Sequence, residues 1–128
     1  MREGGWLRHP LTRSLGTALA AMLLYGGWAL WANRAHGVSA AGWAAATQGF
    51  VSATVTFGIS AIMEGLARIR GRRLVRALVS ALGGMVVAGT YTVAMHWAMG
   101  TPELVSTIAP IFVIGSPYCA IYAAVITR

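Results

Sequence analysis

Gln48, Ser52, Thr56, Ser60 and Glu64 stand four residues apart along one apolar stretch, and Glu64 is the one acid in the interior of any such stretch. In a helix this spacing puts one polar side chain on each turn. Ionisable groups inside membrane spans usually face protein or water, so Glu64 could exchange a proton or attract a cation at the mouth of a cavity. Arg68, one turn onward, offers it an ion pair at the interface instead. His96, beside Trp97 near the end of another apolar stretch, is the second titratable candidate.

These groups need a membrane scaffold to position them. The chain is 57% hydrophobic and 10% charged, with a mean hydropathy of +0.66, values that belong to an integral membrane protein. A hydrocarbon core about 30 Å thick needs about 20 apolar helical residues. Residues 15–32, 42–66, 74–99 and 103–126 supply four such spans. They predict an all-α integral membrane protein, one four-helix domain over 1–128, with connectors too short to hold a soluble domain. The basic start, the apolar run and Val38-Ser39-Ala40 imitate a cleaved signal peptide, but the run exceeds the usual core of about 7 to 15 residues and reads as a retained span.

Arginine placement predicts orientation, because basic residues in short loops stay on the cytoplasmic side. Arg2, Arg8 and Arg13 precede the first span, Arg68, Arg70, Arg72, Arg73 and Arg76 surround the second loop, and Arg128 ends the chain, against Arg34 alone on the other face. Both termini are therefore expected in the cytoplasm of a bacterial-type inner (plasma) membrane, with a multi-pass chain. Topology accounts for the net charge of +7, so no nucleic-acid partner is expected. The arginine ring is positioned to hold anionic lipid headgroups. Trp28, Trp31, Trp43 and Trp97 fall near the outer ends of three spans and Trp6 near the inner side, as interfacial anchors do; an aromatic cage for a cation is the alternative.

Several chemistries have no footing. Cys119 is the single cysteine, Asp is absent, and His9, His36 and His96 are far apart in sequence, so neither a disulfide nor metal-ligand spacing is visible. No nucleophile elbow, phosphate-binding glycine loop or carboxylate pair occurs. The chain reads as a non-enzyme with no cofactor and no metal.

The four-residue spacing recurs. Ser80, Gly84, Ala88, Thr92 and His96 form a second row, and Thr107, Ile111, Gly115, Cys119, Ala123 and Thr127 a third. Small residues in such rows let membrane helices approach closely. With spans two and three antiparallel, Ser60 and Glu64 should lie level with Ser80 and Gly84, Thr56 with Ala88, and Gln48 or Ser52 with His96 and Thr92. A four-residue period overshoots the helix by about 40° per step, so one end of the span-two row should face span three and the other a different helix or subunit.

In the fourth span, Pro110 and Pro117 free the carbonyls of Ser106 and Val113. Gly115, Ser116, Pro117 and Tyr118 near the middle predict a hinge or unwound segment of the kind transporters use to hold substrates. Thr101-Pro102-Glu103 reads as a helix start capped by Thr101. Arg13, Leu15, Leu19, Met22 and Trp28 match Arg76, Leu78, Leu82, Met85 and Tyr91 at an offset of 63, a weak parallel repeat of span one on span three.

In size and four-span plan the chain is similar to the small multidrug resistance transporters. The first span lacks an acid where that family has its essential glutamate, and the asparagine and phenylalanine-rich box of the small fluoride channels are missing. The likeness is one of architecture and transfers no residue. The expectation is a small transporter or channel acting as a homo-oligomer on a lipid, lipid-linked or small hydrophobic substrate. Gln48, Ser52, Thr56, Ser60, Glu64, Thr92, His96, Ser116 and Tyr118 would line its path, with Gly115 and Pro117 as hinge and membrane lipids at the arginines. The alternative is an accessory subunit that grips a larger membrane-protein partner by its small-residue ridges.

Overall fold

The computed structural model describes residues 10–128, with side chains from residue 15 onward. Four long helices follow one another: α1 (Pro10–Ala32), α2 (Val38–Leu66), α3 (Arg73–Ala98) and α4 (Leu104–Ile126), with a single 3-10 turn at Arg34–His36. All four are long and apolar enough to cross a membrane. Their bounds lie within one residue of the expected spans except at the starts of α1 and α2, which come at Pro10 and Val38 and not at 15 and 42. At the start of α2 an added turn is the reason. There the chain turns at Gly37, whose φ of +92° suits glycine. Val38-Ser39-Ala40 then forms the first turn of α2. Arg2, Trp6, Arg8, His9 and the Arg13 side chain lie outside the described residues.

Large apolar side chains face outward and small or polar ones face inward. Leu23, Leu24, Trp43, Leu82, Val86, Val105 and Val113 are exposed, whereas Ala29, Ala41, Ala44, Gln48, Ser80, Thr92, His96 and Thr107 are buried. That inversion suits a hydrocarbon solvent, in which a leucine gains little by turning inward and a small residue lets backbones meet. Ile59, Met63, Ala88, Cys119 and Ala123 form the apolar core where α2, α3 and α4 join.

Every member of the α3 row is buried, as its small residues predict. A side-chain carbon at Gly84 would stand 2.8 Å from Met63 Cγ. Ser80 donates to the Met63 carbonyl at 2.9 Å. These contacts place the α2–α3 register within one turn of expectation.

Arginines close one end of the bundle. Arg76 donates to the Ala67 carbonyl at 2.8 Å and Arg73 to the Ala124 carbonyl at 3.4 Å. Both satisfy carbonyls left free at helix C-termini. At the opposite end His36 Nε2 lies 2.8 Å from Glu103 Oε1, tying the α1–α2 and α3–α4 connectors together. This is the only ion pair among the described residues.

The repeat at offset 63 has a structural counterpart. Trp28 donates to the Ser106 carbonyl at 2.8 Å, joining α1 to α4, while Tyr91 reaches Thr54 at 3.1 Å between hydroxyls, joining α3 to α2. One turn or more further out, Asn33 donates to Thr107 at 2.8 Å and His96 meets Gln48 at 2.6 Å. Each odd-numbered helix thus reaches the second helix of the other half from equivalent positions.

Candidate functional site

The expected seam divides into three parts with different chemistry. Ideal helical geometry explains the division. The core-facing line of α2 runs through Ala44, Gln48, Val51, Ser52, Ile59 and Met63, all buried, so a strict four-residue row rotates away from it. Gln48 and Ser52 are buried, Thr56 and Ser60 are partly covered and Glu64 is exposed.

The part at the Gln48 end is a closed chain of hydrogen bonds. Gln48 Nε2 donates to Ser52 Oγ at 3.0 Å, which leaves Gln48 Oε1 to accept from His96 Nε2 at 2.6 Å. A neutral His96 protonated on Nε2 then accepts at Nδ1 from Thr101 Oγ1, 2.8 Å away. Gln48 and His96 are fully buried. Their polar atoms are occupied by one another and by Ser52 and Thr101, and the chain clamps α2 to α3. Thr101 serves His96, and no side chain caps α4; the expected Thr101 cap is corrected on this point. The residue before α4, Glu103, donates its backbone N–H to Asn33 Oδ1 at 3.0 Å.

The middle part is a partly open cavity of about 250 Å³ lined by all four helices. Ser52 and Thr56 line it from α2, Thr92 from α3, and Gly115, Ser116 and Tyr118 from α4. Six of the expected site residues therefore meet around one space. Thr17 and Tyr25 of α1 line it too, and neither was singled out from sequence. Both lie in the span that lacks an acid, where a single hydroxyl per two turns gives no periodic signal.

The expected unwinding at Gly115–Pro117 is absent, because α4 is helical throughout with Pro110 and Pro117 inside it. The Ser106 carbonyl that Pro110 frees accepts from the Trp28 indole. A neighbouring helix thus supplies the missing donor, so the chain has no need to unwind there. Ser116 donates to the Phe112 carbonyl within the same helix.

The part at the Glu64 end joins α2 to α4. Tyr122 donates to Glu64 Oε1 at 2.7 Å, Ser60 and Tyr118 lie 3.4 Å apart, and the two tyrosine rings stack at 5.7 Å. An Arg68 pair for Glu64 is corrected by this geometry. Among the described residues no arginine reaches within ion-pair distance of Glu64; the tyrosine one turn beyond Tyr118 is its partner. Tyr122→Phe is expected to lower stability by about 1 kcal/mol, the ordinary net worth of one hydrogen bond. Arg68→Ala should stay within about 0.5 kcal/mol of the parent. Thermal unfolding in detergent compares the two; equal losses, or a larger one for Arg68→Ala, would restore the ion pair.

No family model, curated protein or solved structure matches the chain. Function must rest on this geometry. Among the described residues no group of three His, Cys, Asp or Glu side chains could hold a metal ion. The tryptophan end offers no vacant cage: Arg34 already lies 4.2 Å from the centre of the Trp31 ring. Of the five arginines read as headgroup contacts, Arg73 and Arg76 bond carbonyls, while Arg68, Arg70 and Arg72 are exposed.

Proposed function

We infer that this protein is a small membrane transporter or channel for a hydrophobic or lipid-derived molecule, with the four-helix cavity as its binding place. The observation that carries the reading is the cavity itself. Four helices converge on it, and hydroxyls from each of them line it. An inert bundle gains nothing from such a gap, since empty space forfeits dispersion contacts that tight packing would supply. Spans one and four pack weakly against each other compared with the one–two, two–three and three–four pairs, and this seam is the natural lateral route for a molecule arriving from lipid.

In this reading the arginine end faces the cytoplasm of a bacterial-type inner membrane with both termini. Exposed Arg68, Arg70 and Arg72 meet anionic headgroups there, and the protein works as a homo-oligomer. An accessory role has one supporting feature, a shallow groove between α3 and α4 lined by Leu82, Val86, Gly89, Ala94 and Trp97. Gly84 and Ala88, the ridge expected to grip a partner, are buried against α2 and α4 and are not available for that purpose.

Native mass spectrometry of protein released gently from membranes tests the proposal by reading subunit number and bound molecules together. The expected result is a homo-oligomer that retains a small apolar ligand. A bare monomer, or one recovered with a different protein, would move the reading to the accessory role.

A further inference from the structure

We propose that the cavity binds an uncharged, mainly apolar molecule that carries a hydrogen-bond donor, such as an aliphatic alcohol of about ten to twelve non-hydrogen atoms or the hydroxyl-bearing end of a neutral glycerolipid. This rests on the binding-site reading above and narrows it to a substrate class.

Charge is the first ground. Among the described residues, no Asp, Glu, Lys, Arg or His lines the cavity. An ion brought there would lose its hydration without gaining a counter-charge, which costs far more than a few hydroxyls restore. Glu64 of α2 and His96 of α3 have their own partners in Tyr122 and in Gln48 with Thr101.

Hydrogen-bond direction is the second ground. A hydroxyl has one proton and two lone pairs. Thr56 donates its proton to the Ser52 carbonyl, Thr92 to the Ala88 carbonyl and Ser116 to the Phe112 carbonyl. All three therefore present oxygen lone pairs and no proton. Ser52 Oγ accepts from Gln48, so these four hydroxyls together offer more lone pairs than protons. A ligand that can only accept leaves those lone pairs unanswered; a ligand with an O–H satisfies one.

Size is the third. A cavity of about 150 Å³ holds benzene, so about 250 Å³ suits a ligand nearly twice as large.

Cys119, the single cysteine of the chain, lines the same space and is buried, so the rate at which it forms a mixed disulfide with a methanethiosulfonate reports occupancy. The full chain in nanodiscs is treated with methyl methanethiosulfonate in the presence of n-decanol, its methyl ether, decyltrimethylammonium or dioctanoylglycerol. We expect n-decanol to slow labelling at least tenfold, and its methyl ether, which keeps the tail but loses the donor, to protect about fivefold less well. Thr56→Leu and Ser116→Leu, which fill the space from different helices, should each abolish protection; loss in either one alone suffices if the other misfolds. Protection by n-decanol alone assigns a free small molecule, and protection by the glycerolipid as well assigns a lipid. Equal protection by the ether, or stronger protection by the ammonium, overturns the class while leaving the cavity a binding site. Protection by none of the four overturns both the class and the site.

Discussion

Replacing His96 with leucine is expected to destabilise the protein by about 2 to 3 kcal/mol, while the pair Gln48→Leu with His96→Leu recovers at least about 1 kcal/mol of that loss. The single change removes one donor and one acceptor from a buried chain. It leaves Gln48 Oε1, fully buried, and the Thr101 hydroxyl without their partner. Each stranded buried group costs about 1 to 3 kcal/mol, whereas replacing both partners with apolar groups of similar shape can be nearly neutral. A typical polar contact between membrane helices contributes only about 0.6 kcal/mol, because the separated helices find other partners. The chain from Thr101 to Ser52 exceeds that average because it has three bonds in series and its two central members have no solvent exposure. Denaturant titration of the two variants in detergent decides between these magnitudes. A loss near 0.6 kcal/mol for His96→Leu, with nothing recovered in the pair, would make the chain an ordinary contact.

Much of this clamp was legible in the sequence, since antiparallel spans and two four-residue rows put Gln48 or Ser52 level with His96 and Thr92. What the rows could not show was where each would leave its interface. A helix sandwiched between two neighbours buries a wide arc, so the α3 row from Ser80 to His96 stays covered over its full length. The α2 row winds off the buried face toward its Glu64 end and emerges, where Glu64 meets Tyr122 of α4. The spacing rule that located the row also predicted that its two ends would face different helices. The partner residue depended on how α4 is rotated, which no local pattern specifies.

Asn33 was overlooked for a different reason. It is fully buried and binds Thr107, the Ala29 carbonyl and the Glu103 backbone N–H, yet it sits at the end of a span where a polar residue looks like the start of a loop. The signal was present in the repeat: the offset of 63 that aligns Trp28 with Tyr91 also carries Asn33 onto His96. Two buried polar residues at equivalent places, each bonded across to the other half, are a stronger mark of duplication than the shared leucines and methionines. The prolines of α4 teach the converse. Their sequence context predicts a break, yet α4 stays helical through both, and Trp28 donates to the carbonyl that Pro110 frees.

Gly26 and Gly27 are adjacent and chemically identical, and their replacement by leucine is expected to have opposite outcomes. A side-chain carbon at Gly26 would stand 3.2 Å from the Ala45 carbonyl oxygen and 3.8 Å from Gly49 Cα, whereas one at Gly27 would meet nothing within 4 Å. The atoms facing Gly26 are backbone, which cannot rotate aside as a methionine can. Gly26→Leu must therefore push α1 away from α2, and the loss should reach about 4 kcal/mol or more, at the top of the range for point changes. Gly27→Leu adds an apolar group on an exposed face and removes a poor helix former, so it should hold stability or raise it by up to about 1 kcal/mol. Gly26→Ala supplies a graded measurement if the leucine variant fails to fold: its gain in helix propensity offsets part of the crowding, and a net loss of about 0.5 to 1 kcal/mol is expected. Thermal unfolding in detergent ranks the three variants. If both leucine variants behave alike, α1 and α2 do not cross at Gly26, and α1 loses the anchor that holds Thr17 and Tyr25 against the cavity.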